Sequence, residues 1–322
     1  MGTPRIISAV TPRRALRHTG SWRTTLAFWS FVGPFLLGLI VFTYIPILWG
    51  LVLSFSEARL TITPTNFVGL EHYIYLLTDR VFLRSLGTFT LFALCIVPAT
   101  YLVSLGLALL VDSIGIGRSF FRSVFFLPTA CSYVVASLVW KMSLFSSLPS
   151  GFANMALSWI DVDPVRWLST LVPPFYWVPL VSARLWLQTG FYMIIFMAGL
   201  QEIPRELYEA AQVDGARRGW QTFRYITLPL LRNTSISVVV LLIIAAFQAF
   251  DEFYNLLGSS SGTGSLLAQV RPPMVYLYQI AFGDQNYGRG SAGAFIIMAV
   301  IILFTLLQNR IFGIGQGERS KS

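Results

Sequence analysis

The chain alternates long apolar stretches with shorter polar connections, and that pattern sets its class. Six stretches approach or exceed the ~20 residues a helix needs to cross about 30 Å of hydrocarbon. They cover residues 26–55, 82–111, 120–145, 175–200, 235–256 and 292–308. The first two are long enough to tilt or to extend past the bilayer. Pro34 and Pro46 in the first, and Pro98 in the second, are tolerable kinks, because neighbouring helices can satisfy the freed carbonyls. The pattern predicts an all-α fold: a polytopic membrane protein with six transmembrane helices.

Composition supports lipid as the solvent. Of 322 residues, 55% are hydrophobic, 15% aromatic and only 11% charged, with a mean hydropathy of +0.67. Soluble domains carry about a quarter charged residues. The net charge of +9 would suggest nucleic acid in a soluble protein. No basic stripe here is interleaved with exposed aromatics, so no nucleic-acid partner is expected. Membrane proteins instead concentrate Lys and Arg in cytoplasmic loops. With the N-terminus inside, fifteen of the 23 Lys and Arg fall in inside segments, and Lys141 and Arg184 lie within spans. Only six, Arg59, Arg80, Arg84, Arg166, Arg271 and Arg289, fall outside.

The charge bias predicts both termini in the cytoplasm. Residues 1–25 then form a basic cytoplasmic segment, 26–312 the transmembrane domain and 313–322 a cytoplasmic tail. The first apolar run is too long for a signal-peptide core. The outer connection 258–290 opens with GSSSGTGS, a flexible-linker composition. Cys95 and Cys131 lie in apolar runs and read as small hydrophobes. With only His18 and His72 present, no metal cluster is expected.

Polar residues within spans are costly and tend to mark a pathway. Arg184 lies in the fourth span with Gln188 one helical turn further in; Gln248, Phe250, Asp251 and Glu252 cluster near the outer end of the fifth. One reading is a structural ion pair of Arg184 with Asp251. The other places Arg184, Gln188, Gln248, Phe250 and Asp251 on a translocation pathway, where aromatic faces and hydrogen-bonding groups suit a polyol. Lys141 is near an outer boundary and reads as a snorkelling residue.

The most informative segment is 201–233, QEIPRELYEAAQVDGARRGWQTFRYITLPLLRN. Pro204 suits the first turn of a helix and Glu206 the positive end of its dipole. Asp214-Gly215 is a strong stop. A second helix is expected from Arg217 to Tyr225, with Pro229 marking the passage into the fifth span. Helices this short need something to pack on: either the membrane surface or a cytoplasmic partner. The chain has no G-x-x-x-x-G-K-[ST] phosphate loop, its only lysines being Lys141 and Lys321. ATP hydrolysis, and any catalytic residue, is therefore expected elsewhere.

Glu209-Ala210-Ala211, Asp214-Gly215-Ala216 and Ile226-Thr227-Leu228-Pro229-Leu230 resemble the EAA loop of bacterial ABC importer permeases. Asn66-Phe67-Val68-Gly69-Leu70-Glu71, Phe125-Phe126-Leu127-Pro128, Phe250-Asp251, Ala281-Phe282 and Tyr287-Gly288 are similar to the maltose/glycerol-3-phosphate-type branch of that family. The resemblance runs from about residue 28 to 312. Arg232-Asn233 departs from it, since the family often has a second Pro there.

The resemblance implies that Glu209, Ala210, Ala211, Asp214 and Gly215 couple the chain to ATP-binding cassette subunits, with Glu209 facing a basic residue and Gly215 making the turn. It implies no cofactor in this chain, ATP and Mg being held by the partner. A second, non-identical permease subunit and an extracytoplasmic substrate-binding protein are further expected partners, in the bacterial cytoplasmic membrane. The expected cargo is a carbohydrate or related polyol; the alternative is glycerol-3-phosphate or a glycerophosphodiester. An ion-coupled secondary transporter is a more distant alternative, lacking the paired repeats such proteins show. A membrane enzyme would need a nucleophile–base pair that the sequence does not offer.

Overall fold

The computed structural model describes residues 22–216, 219–258 and 266–312. The basic N-terminal segment with His18, the pair Arg217 and Arg218, most of the GSSSGTGS stretch and the C-terminal tail lie outside the described residues. Among the described residues the regular elements are helical, and β pairing is limited to two isolated bridges, Ser56 with Phe67 and Arg59 with Asn286.

The chain divides into two units, residues 1–50 and 51–322. The first contains α1 (Trp22–Leu39), which carries Pro34, and a π-helical turn over Ile40–Tyr44. The next helix, α2 (Ile45–Ser54), leads into the second unit. Side chains such as Phe31 and Phe42 stand exposed, as expected of a helix whose solvent is lipid.

The second unit holds α3 (Glu71–Thr78), α4 (Arg80–Ser113), α5 (Arg118–Phe126), α6 (Tyr133–Val139), α7 (Phe152–Ser158) and α8 (Trp177–Gln201). After these come α9 (Arg205–Val213), α10 (Trp220–Thr222), α11 (Leu228–Leu230), α12 (Arg232–Phe247) and α13 (Asp251–Leu257). The last three are α14 (Leu266–Val270), α15 (Pro273–Tyr278) and α16 (Tyr287–Phe312). Four helical runs, Thr24–Ser54, Arg80–Ser113, Trp177–Gln201 and Tyr287–Gln308, are long and apolar enough to cross a membrane. Two bent pairs raise the total to six if each is one span.

The first pair corrects the third expected span, and the second bends just ahead of the fifth. Over 120–145 the helix is not continuous: Arg118–Ala130 and Tyr133–Leu144 meet at 94°. Pro128 sits in a 3-10 turn, Cys131 is extended, and Ser132 starts a new helix by accepting from the Val134 amide at 3.3 Å. A proline removes a backbone donor, and a serine N-cap supplies the acceptor that lets a helix restart. Ahead of the fifth, Trp220–Leu230 and Arg232–Phe247 are bent by 70°. Pro229 falls in the first turn of α11, where its missing N–H costs nothing, so the bend comes at Leu231 instead. That span also breaks after Phe247 and resumes at Asp251, with Phe250 at φ −140°, ψ −59°.

The core lies where α4 runs along α8 and α12. Phe82, Phe92, Phe196 and Phe253 are among its largest fully buried side chains. Polar bonds tie the long helices together: Ser104 Oγ donates to the Thr189 carbonyl at 3.0 Å, and Tyr101 Oη to Ser235 Oγ at 2.9 Å. Gly190 lets the end of α5 sit against α8, since a Cβ there would lie 2.0 Å from the Phe125 carbonyl oxygen. Small residues serve helix contacts in membranes for this reason.

Candidate functional site

The segment after α8 begins with α9, whose N-terminal end follows Pro204 and carries Glu206 in its first turn. It stops where the residue pattern predicts. Asp214 leaves the helix at φ −73°, ψ 3°, and Gly215 takes φ +86°, a conformation with little penalty only for glycine. Among the described residues the second helix begins at Trp220, after Gly219 at φ +107°; its expected start at Arg217 lies outside the described residues. It then runs as α10, a π-helical turn over Phe223–Thr227, and α11.

One side of this segment is seated on the core. Tyr208 and Phe223 pack against the inner cluster, Ile203 is buried, and Tyr208 Oη bonds Thr227 Oγ1 at 3.1 Å. The other side is bare. Glu209, Ala210, Asp214 and Gly215 are exposed and Ala211 is half-buried. Val213 is 88% and Trp220 74% exposed, beside exposed Leu207 and Tyr225. Apolar side chains held outward on a braced helix–turn are a contact surface rather than a core.

The second candidate constellation separates into a buried part and an open part. Arg184, on α8, is 4% exposed and pairs with Glu252 of α13, which is 1% exposed. A second arm donates to the Ala245 carbonyl, and the guanidinium lies 5.5 Å from the centre of the Tyr133 ring. The Arg184 Nε and Glu252 Oε2 atoms are buried without a partner. The partner of Arg184 is thus Glu252, not Asp251. The helix break at residues 248–250 resets the helix phase, turning Glu252 inward and leaving Asp251 exposed.

Gln248 is also exposed, while Gln188 is half-buried within hydrogen-bonding reach of Tyr133. Phe250 stacks on Tyr254 at 5.2 Å and meets Tyr278 edge-on at 5.2 Å. Gln188 and Arg184 therefore share the α8–α6 contact, whereas Gln248, Phe250 and Asp251 sit together at the α12–α13 break. Lys141 does not reach for solvent as expected; its Nζ donates to the Asn255 carbonyl at 3.2 Å. His72 is buried with Nε2 at 3.1 Å from the Ser56 carbonyl, and no cluster of metal-ligating side chains occurs among the described residues. Cys95 and Cys131 are free and exposed on this chain.

Residues 30–312 match the family described as binding-protein-dependent transport system inner membrane component. The chain belongs to that family. Its relatives include a probable ABC transporter permease protein of Pyrococcus horikoshii, 32% identical over 278 residues, covering 86% of this chain and 92% of the relative. The trehalose/maltose transport system permease protein MalF of Thermococcus litoralis is 31% identical over 278 residues, 86% of this chain and 90% of that one. A chain of a bacterial alginate ABC transporter, solved in complex with alginate pentasaccharide-bound periplasmic protein, superposes with a TM-score of 0.76 at 22% identity. It covers 90% of this chain and 94% of that chain. That likeness shows a shared fold.

Glu252 is the residue whose role the sequence did not disclose. Its only signal was adjacency to Asp251, and choosing between them needed the position of the break before α13.

Proposed function

We propose that the chain is the permease subunit of an ATP-driven, binding-protein-dependent carbohydrate importer, forming half of the translocation pathway. Six spans, counting each bent pair as one, would place both termini and residues 201–233 in the cytoplasm of a bacterial cell, within its inner membrane. The outward-facing surface of α9 and α10 carries this reading: it is apolar, seated on the core from behind, and follows a turn at Gly215, suited to being held and moved by an ATP-binding cassette subunit. Glu209 would meet a basic group there, Ala210 and Ala211 would allow close approach, and Asp214-Gly215 would fix the turn. ATP and Mg belong to that partner. A second, non-identical permease subunit would close the pathway, and an extracytoplasmic binding protein would deliver the cargo.

Family membership and the trehalose/maltose relative favour a saccharide over the glycerol-3-phosphate or glycerophosphodiester alternative. An ion-coupled secondary transporter is disfavoured on the same ground. Gln188, Gln248, Phe250 and Asp251 are assigned to the pathway. Arg184, paired with Glu252 and a backbone carbonyl, holds its wall.

Reconstitution with the partner subunits in proteoliposomes tests this. Saccharide uptake should require hydrolysable ATP on the cytoplasmic side and be lost in Gly215→Pro, whose ring cannot adopt the +86° turn. Uptake driven by a proton or sodium gradient without the ATPase subunit would refute it.

A further inference from the structure

Outside arginines are the minority in this chain, yet five of the six surround one cavity. Arg59, Arg80, Arg84, Arg271 and Arg289 line a space of about 1260 Å³ in the second unit. They arrive from four segments: the loop after α2, the first turn of α4, the approach to α15 and the start of α16. Backbone pairing fixes that convergence, with the Leu60 amide on the Gln285 carbonyl at 2.8 Å and the Tyr287 amide on the Ala58 carbonyl at 2.9 Å.

Positive charge here is answered only in part, by Asp79 and Asp284 acting on Arg271 from beyond contact distance. Asp284 is the one carboxylate on the lining, and among the described residues none of the five arginines has a carboxylate oxygen within 4.0 Å. Their contacts are neutral. Arg271 donates to Gln279 Oε1 and lies 4.7 Å from the centre of the Tyr276 ring; Arg289 lies 4.0 Å from that of Tyr75. The Nε atoms of both are buried and unpartnered. Burial pulls the Arg271 guanidinium below its ordinary value, so an arriving anion would relieve a cost already present. Guanidinium forks held on aromatic faces suit carboxylates geometrically.

The cavity is also built for sugar. Tyr254, Tyr276 and Tyr278 offer ring faces, and Gln279 and Asn286 offer amides. Tyr254 and Tyr278, 5.6 Å apart, contact Phe250, so the lining continues to the proposed pathway residues. That continuity favours a passing solute over a resident lipid headgroup. Its volume exceeds the roughly 300–1,000 Å³ of small-molecule pockets, which suits an oligomer. Five positive groups spread over four segments suit several single charges along a chain better than one phosphate.

Resting on the importer reading above, we propose that this cavity is an outer vestibule that selects carboxylate-bearing oligosaccharides, of the oligouronate class, over neutral ones. The test uses the assembled permease–ATPase complex in nanodiscs, without the soluble binding protein, and compares trigalacturonate with its methyl triester by calorimetry. The acid should bind at least ~10-fold more tightly than the ester, about 1.4 kcal/mol, and less so as salt rises. The triple variant Arg80→Gln/Arg84→Gln/Arg289→Gln should lose that preference at an unchanged thermal midpoint, and the corresponding triple Lys variant should keep much of it.

Equal binding of acid and ester, or a preference that survives the Gln triple, overturns the proposal. So does retention of phosphatidylglycerol by these arginines without discrimination between the sugars. In proteoliposomes with the binding protein, ATP-dependent uptake of trigalacturonate, measured beside neutral maltotriose, that is unaffected by the Gln triple overturns the vestibule but leaves the importer standing. Absence of ATP-dependent uptake of either sugar removes the importer reading as well.

Discussion

Arg184 and the five arginines of the large cavity carry the same group into opposite circumstances. Arg184 is enclosed between α8 and α13, where Glu252 and a backbone carbonyl answer its charge. Arg80 and Arg84 are exposed, Arg271 and Arg289 rest on tyrosine rings, and none has a carboxylate at contact distance. A charge inside a helix contact must be neutralised within the chain or the contact fails. A charge on an open lining can wait for a ligand. The first arrangement is therefore structural, and the second is where binding is to be sought.

Substitutions inside the contact should have the largest effects. Arg184→Leu or Glu252→Leu alone leaves one buried charge and should cost about 3–5 kcal/mol, read from thermal or denaturant unfolding of the purified complex in detergent. The double variant should recover most of the loss. Asp251→Leu should do little, and a loss as large as that of Glu252→Leu would break the pairing.

Next comes Gly190→Ala, whose added Cβ would meet the Phe125 carbonyl oxygen at 2.0 Å. Overpacking of this kind costs about 1–3 kcal/mol and should lower the same midpoint. Tyr276→Phe removes the hydroxyl that donates to Asp79, a side chain that also caps α4 by accepting from the Val81 and Phe82 amides at 3.1 and 3.2 Å. Its expected cost, about 1–2 kcal/mol, places it at the border between the two regions. At the far end, Arg80→Gln and Arg84→Gln should each shift stability by less than about 0.5 kcal/mol. A large destabilisation there would mean that these arginines are structural too, and the contrast with Arg184 would collapse.

Much of the helical framework was legible because lipid imposes a length and an apolar composition on anything that crosses it. Residues 82–111 and 175–200 correspond to α4 and α8 with ends displaced by only a few residues. The helix stop at Asp214-Gly215 was equally readable, since local backbone preference decides it. What the pattern could not show was where an apolar run bends. The Pro128–Ser132 break and the break after Phe247 lie inside the apolar stretches 120–145 and 235–256, and hydropathy carries no directional information. The partner of Arg184 was hidden for a related reason: Asp251 and Glu252 differ by one residue, and only the phase set by the break before α13 turns one inward. The gathering of the outer arginines depends on loops far apart in sequence, so residue spacing held no trace of it.

The central claim, that the segment after α8 transmits ATP-driven motion from a partner subunit, is tested most directly through Glu209, which is exposed on α9. ATP-dependent saccharide uptake should be measured in proteoliposomes for the wild-type importer and for Glu209→Arg, with the midpoint of unfolding as a check on folding. The account predicts that uptake falls at least ~10-fold, together with loss of the ATPase subunit on purification, while the midpoint is unchanged. Full uptake by a Glu209→Arg importer that keeps its ATPase subunit would contradict it.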